Sequence, residues 1–148
     1  MRLTLSTDYA LRTLIYLGAA RDGLATIAEI ADAFDISKAH LMKVVNRLGR
    51  QGYIETVRGR GGGIRLARPP ESVRVGDVVR DAGEELAVMS CLAKSGVCRI
   101  ERCCILRSAL RQATQAFLDV LDDYTLADLL APGARLSRSL GLERTALS

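Results

Sequence analysis

A mainly α protein with a small β-wing is the fold this sequence predicts, a winged helix-turn-helix followed by one long helix for dimerisation. Three observations predict it. Two short amphipathic helical patterns stand in tandem between Thr26 and Arg50, a glycine- and arginine-rich hairpin pattern follows them, and one uninterrupted helical pattern runs from Ile105 to Tyr124. At 148 residues the chain suits one domain or a small domain with an accessory element. The expected organisation is a DNA-binding domain at 1–70, a cysteine loop and dimerisation helix at 71–131, and a weakly ordered tail at 132–148.

The first helix is expected in "LSTDYALRTLIYLGAA", with apolar Leu5, Tyr9, Leu11, Leu14, Ile15 and Leu17, and with Asp8 where a carboxylate favours a helix start. In "TIAEIADAFDIS", Thr26 followed by Glu29 is a capping-box pattern, and Ile27, Ile30, Ala31 and Phe34 make one apolar stripe. After a break at Asp35–Ile36, Ser37 can cap "KAHLMKVVNRLGRQG". In that helix Leu41, Val44, Val45 and Leu48 share the core side, while Lys43, Asn46, Arg47 and Arg50 fall opposite. Because a recognition helix reads base edges mainly from its N-terminal part, Ser37, Lys38, His40 and Lys43 are the candidates for base or nearby phosphate contact, with Arg47 further along.

The wing follows in "YIETVRGRGGGIRLARPP", where strand-like runs at Tyr53–Val57 and Ile64–Ala67 flank the turn. Glycines there permit positive φ and hold no side chain against a phosphate surface, while Arg58, Arg60 and Arg65 supply charge. The loop lacks the Lys-Ser/Thr of a P-loop and does not precede a helix. "ESVRVGDVVRDAGEEL" reads as a strand or turn leading into a short helix with Val75, Val78 and Val79 inward. In the long helix Leu106, Leu110, Ala113, Phe117, Val120, Leu121 and Tyr124 approximate an a/d seam, as in an isologous dimer interface. "TLADLL" adds a short apolar turn.

Charge narrows the partner. The chain carries a formal net charge of +4, but residues 1–70 hold eleven lysines and arginines against six acids, and residues 71–148 hold ten against eleven. Between Lys38 and Arg68 eight basic side chains face one acid, Glu55, which is the footprint expected of a polyanion site. The N-terminal apolar patch is interrupted by Asp8 and Arg12 and lacks a small-residue cleavage site, so the expected location is the cytoplasm. No nucleophile–base constellation is present, and the expected protein is not an enzyme.

All four cysteines lie in "SCLAKSGVCRIERCCILR", at Cys91, Cys98, Cys103 and Cys104. Disulfides are disfavoured in the reducing cytoplasm, and zinc sites ordinarily show cysteine pairs two to four residues apart, which are missing here. Zinc, redox thiols beside Lys94, Arg99 and Arg102, and an iron–sulfur cluster wrapped by the turn-rich loop all stay open on spacing alone, the cluster foremost. Cys103 and Cys104 are unsuited to sharing one site on a helix, since neighbours diverge by about 100°.

Together, "LSTDYALRTLIYL", "ISKAHLMKVVNRLGRQGYIETVRGRGGGIRLA", "VGDVVR" and "LDDYTLADLL" resemble the NsrR type of iron–sulfur repressor, a relative of the IscR regulators, over about residues 1–131. The resemblance implies a homodimer on a palindromic operator that senses nitric oxide and controls its detoxification. It implies one cluster per subunit, 4Fe–4S favoured over 2Fe–2S, held by Cys91, Cys98 and Cys104 with Cys103 as bystander. The family's pattern also offers Asp8, from the partner subunit, as fourth ligand. IscR-type proteins carry a histidine three residues after the last cysteine; here that residue is Arg107.

Overall fold

The computed structural model describes residues 3–82, Leu92 and 98–142. Helix α1, Leu5–Ala19, is the spine of the molecule. Leu14 and Leu17 are fully buried on it, and Thr13 satisfies its hydroxyl by donating to the Tyr9 carbonyl at 2.7 Å. Helix α2, Ile27–Phe34, opens on the expected capping box: Thr26 Oγ1 accepts the Glu29 N–H at 3.2 Å, and Glu29 Oε2 accepts the Thr26 N–H at 2.7 Å. It stops at Asp35, whose left-handed backbone (φ 52°, ψ 51°) an aspartate tolerates better than most residues. The Ile36 N–H then reaches back to the Ala31 carbonyl at 2.9 Å and Ile36 is buried, which fixes the tight break before helix α3, Lys38–Arg50. Leu41, Val44, Val45 and Leu48 are its buried side, as the periodicity predicts.

Three strands form the wing sheet in the order β1–β3–β2, all antiparallel. Strand β2 is Ile54–Val57 and the central β3 is Gly63–Leu66. The two-residue β1, Leu24–Ala25, is the strand that the sequence patterns do not announce. Two of the wing glycines are demanded by the sheet itself. A Cβ at Gly63 would stand 2.5 Å from the Ala25 carbonyl oxygen, and one at Gly62 would stand 2.2 Å from that of Val57. Close strand approach, in addition to any ligand, therefore selects glycine here.

The core joins all these elements: Leu14, Leu17, Ile30, Leu41, Leu48, Tyr53, Ile64, Val73, Val78 and Leu126 form one buried cluster. Each fully buried aliphatic side chain stabilises the fold by roughly 1.5–3 kcal/mol relative to exposure. After a 3₁₀ turn at Pro70–Ser72, helix α4, Val75–Asp81, turns Val75, Val78 and Val79 inward as expected. Helix α5, Ile105–Asp122, is the long one and packs on α4. Not one of its 18 residues is buried. The chain then returns to the start of α4, where the Leu126 N–H donates to the Val73 carbonyl at 2.8 Å and the Val75 N–H to the Tyr124 carbonyl at 2.9 Å. Helix α6, Leu126–Leu130, lies on α1 with Leu130 seated over Gly18. Within the stretch expected as the tail, Ala134–Ser139 forms helix α7, and Leu140 and Leu142 pack on the core. Among the described residues no helix is long and apolar enough to cross a membrane.

Candidate nucleic-acid interface and cysteine site

The recognition helix α3 begins with Ser37, whose hydroxyl accepts the His40 N–H at 3.4 Å. Lys38, Met42, Lys43, Asn46 and Arg50 are exposed along it. His40 is half-buried, its ring edge-on to Tyr9 of α1 at 5.1 Å, so it packs as well as presenting a polar edge. Arg58 and Arg60 are exposed at the tip between β2 and β3. Among the described residues no ion pair engages Lys38, Lys43, Arg50, Arg58 or Arg60, which leaves five cations on helix and wing.

Three other arginines of the basic segment are used internally. Arg47 is exposed on the outward side, and it also donates from Nη1 to Ser6 Oγ at 3.0 Å and to the Ala82 carbonyl at 2.5 Å. Its long side chain bends back to two acceptors that helical projection of α3 alone does not reveal. Arg65 sits directly opposite Glu55 on the neighbouring strand and pairs with it at 2.5 Å. Arg68 donates to the Gln51 and Gly52 carbonyls and lies over the Tyr53 ring, 4.3 Å from its centroid.

Residues that the sequence patterns do not single out tie the two halves together. Tyr53 Oη donates to Asp81 Oδ2 at 2.6 Å, and Gln51 Nε2 donates to the Asp81 carbonyl. Burial, and then the bond to Asp81, hold the Tyr53 hydroxyl well above the ordinary tyrosine range. On the other side of α4, Arg80 forms a two-pronged pair with Asp122 of α5 at 2.8 and 2.6 Å. That pair holds the Asp122 carboxyl below the ordinary carboxylate value. No local signal announces these contacts, whose partners lie 28 to 42 residues apart.

Cys98, Cys103 and Cys104 are free thiols. Cys98 and Cys103 are exposed, in the turn that precedes α5. Cys103 Sγ lies 3.5 Å from the Ile100 carbonyl, whereas Cys104 Sγ caps α5 by accepting the Arg107 N–H at 3.4 Å. The two neighbours thus engage different groups. Arg107, at the position of the IscR histidine, pairs with Glu101 at 2.9 Å. Cys91 lies outside the described residues. Asp8 stands in the first turn of α1, paired with Arg12 at 2.8 Å and lining an open depression with Leu3, Thr4, Leu5 and Leu11. Among the described residues no three His, Cys, Asp or Glu side chains are grouped to hold a metal ion. The chemistry of the donors nonetheless suits an iron–sulfur cluster: soft, free thiols on a turn, with a hard carboxylate available elsewhere.

A helix-turn-helix with a cationic second helix and a wing tipped by exposed arginines defines a winged-helix DNA-binding protein. The family profile described as "Rrf2: Iron-dependent Transcriptional regulator" matches residues 3–132. The chain belongs to the Rrf2 family of transcriptional regulators. It is 53% identical over 146 residues to the HTH-type transcriptional regulator NsrR of Geobacillus kaustophilus (strain HTA426), covering 97% of this chain and 99% of the relative. It is 50% identical over 132 residues to the protein of the same name from Bacillus subtilis (strain 168), covering 88% and 90%. These relatives are named as regulators, not enzymes. Among solved structures, oxidised CymR of Staphylococcus aureus superposes with a TM-score of 0.67 at 27% identity, over 87% of this chain and 95% of that one. T. potens IscR superposes at 0.68 with 24% identity, over 89% and 88%, a likeness of fold.

Proposed function

We propose that this regulator is a homodimeric, iron–sulfur-dependent repressor that responds to nitric oxide and releases genes for its detoxification. The observation that carries the reading is the position of the thiols. Every cysteine falls between α4, which is bonded to the recognition helix and its wing, and α5, none of whose residues is fully buried. A ligand held there acts on both the DNA-reading half and the dimerising half. The 50% and 53% identity to relatives named NsrR supports nitric oxide as the signal.

Cys91, Cys98 and Cys104 would hold the cluster, 4Fe–4S favoured, with Asp8 of the second subunit as an oxygen donor. When bound, such a cluster supplies iron that combines with nitric oxide. Cys104 fixes its own sulfur at the root of α5 through the Arg107 N–H, so a ligand on that sulfur orients the helix. Asp8 is paired with Arg12 through Oδ1, which fixes the direction of its carboxylate. Ser37, Lys38, His40 and Lys43 then approach the major groove, with Arg58, Arg60 and, more weakly, Arg65 on adjacent phosphates or in the minor groove.

The test is the visible absorption of protein purified without oxygen, before and after nitric oxide, paired with operator binding. A cluster band that bleaches as DNA affinity falls, and that is missing in Cys98→Ala together with specific binding, is the expected result. A chain that stays colourless after anaerobic iron and sulfide reconstitution returns the thiols to zinc or bare redox chemistry.

A further inference from the structure

Helical geometry places Arg47 among the outward cations and it is exposed, yet its guanidinium is already bonded to two segments far apart in sequence. One acceptor, Ser6 Oγ at 3.0 Å, lies on α1 two residues before Asp8. The other, the Ala82 carbonyl at 2.5 Å, closes the C-terminus of α4. We propose that Arg47 is a positioning residue: it ties the recognition helix at once to the start of α1, which carries Asp8, and to the end of α4, and it does not itself contact DNA. The proposal deepens, and rests on, the assignment of Asp8 as a ligand.

The neighbours of Arg47 agree with this role. One turn further along, Gln51 donates to the carbonyl of Asp81, and the Tyr53 hydroxyl donates to the Asp81 carboxylate at 2.6 Å. At the opposite end of α3, His40 packs edge-on against Tyr9, the residue after Asp8. The recognition helix is therefore held at its start by the residue after Asp8 and at its end by the last residues of α4. Arginine suits the central place because one planar group can serve two acceptors in fixed directions. Displacing either acceptor breaks a bond to α3 and frees its C-terminal half to turn. The shift is geometric and needs no change of charge at the DNA surface.

The test separates a clasp from a phosphate contact, using the full-length chain. Arg47→Met removes charge and clasp, Arg47→Lys keeps the charge, and Ser6→Ala deletes one acceptor while leaving Arg47 in place. Two quantities are read on metal-free protein: the salt dependence of binding to a short mixed-sequence duplex, and amide hydrogen exchange at residues 79–82 and 6–9. Preference for an operator selected in vitro by the wild-type protein is then read on anaerobically loaded protein. The clasp predicts an unchanged salt slope for all three variants, faster exchange at both segments, and operator preference reduced about tenfold in Arg47→Met. A slope that falls by about one in Arg47→Met but not in Arg47→Lys, with exchange unchanged, makes Arg47 a phosphate contact and overturns the proposal. If Arg47→Met does not fold, Arg47→Lys and Ser6→Ala still decide it through exchange. Failure of the sensing assignment shows elsewhere: Cys98→Ala binding the operator as tightly as wild type refutes that assignment while the exchange result on the clasp stands.

Discussion

Thr26 and Ser37 both cap helices of the DNA-binding half, but only Thr26 has a reciprocal partner, Glu29, whose carboxylate accepts the Thr26 N–H. Thr26→Ala is expected to lower the unfolding free energy by about 1 kcal/mol, read as a shift in urea midpoint at constant m, and to exceed the effect of Ser37→Ala. Asp35 makes a second residue-level prediction. Its left-handed backbone accepts glycine without loss, whereas Asp35→Val costs about 1–2 kcal/mol by the same measurement. The cations sort by what already holds them. Arg58→Ala, at an exposed tip, should reduce the salt slope of DNA binding by about one, and Arg65→Ala by less, because Glu55 already neutralises much of that charge. Capping was legible in the sequence because Thr26 and Glu29 are three residues apart and their spacing is itself the signal. The destination of Arg47 was not, because its acceptors are 41 and 35 residues away and one of them is a backbone carbonyl with no residue-type signature.

Helices α4 and α5 meet at a point where a side chain has been given up. A Cβ on Gly76 would stand 1.9 Å from Asp122 Oδ1, so the carboxylate occupies the space above the glycine and Arg80 grips it from one side. Asp122→Asn should lower the melting temperature at neutral pH. The pH dependence follows from the depressed carboxyl: its stabilising contribution is present above the unfolded value of 3.8 and is lost as pH falls through the lower, folded value. The gap between wild type and Asp122→Asn, followed by thermal melts, should therefore be full at pH 7 and close in the acid range below about pH 4. Long periodic elements showed in the sequence, α3 and α5 above all, because each turn repeats the same apolar choice. Strand β1 did not, since two residues carry no period and its pairing with β3 is set 40 residues later in the chain. Helix α7 was obscured by the polar face it shows outside, while Leu140 and Leu142, which anchor it, follow its last turn.

The molecule as a whole is a buried winged-helix core carrying a helix of about 27 Å that packs on α4 along one side and has no fully buried residue. Along it Ile105 is 85% exposed, Leu106 56% and Val120 57%, and Tyr124 just beyond its end is 50% exposed, a run of apolar side chains left at the surface. For the proposed homodimer, Val120→Arg should shift sedimentation from dimer to monomer and weaken operator binding, while circular dichroism of the winged-helix half stays native. The cysteine assignments rest on residue type and family likeness, since spacing says which donors are present and not how they converge. The bare face of α5 also has a consequence for dosage. When a helix is completed only by a second copy, melting temperature climbs with protein concentration, and the active species grows as the square of the monomer when monomer predominates. For the proposed homodimer, halving the number of chains in a cell would cut the DNA-competent form about fourfold, which would make the abundance of the regulator itself an input to the circuit.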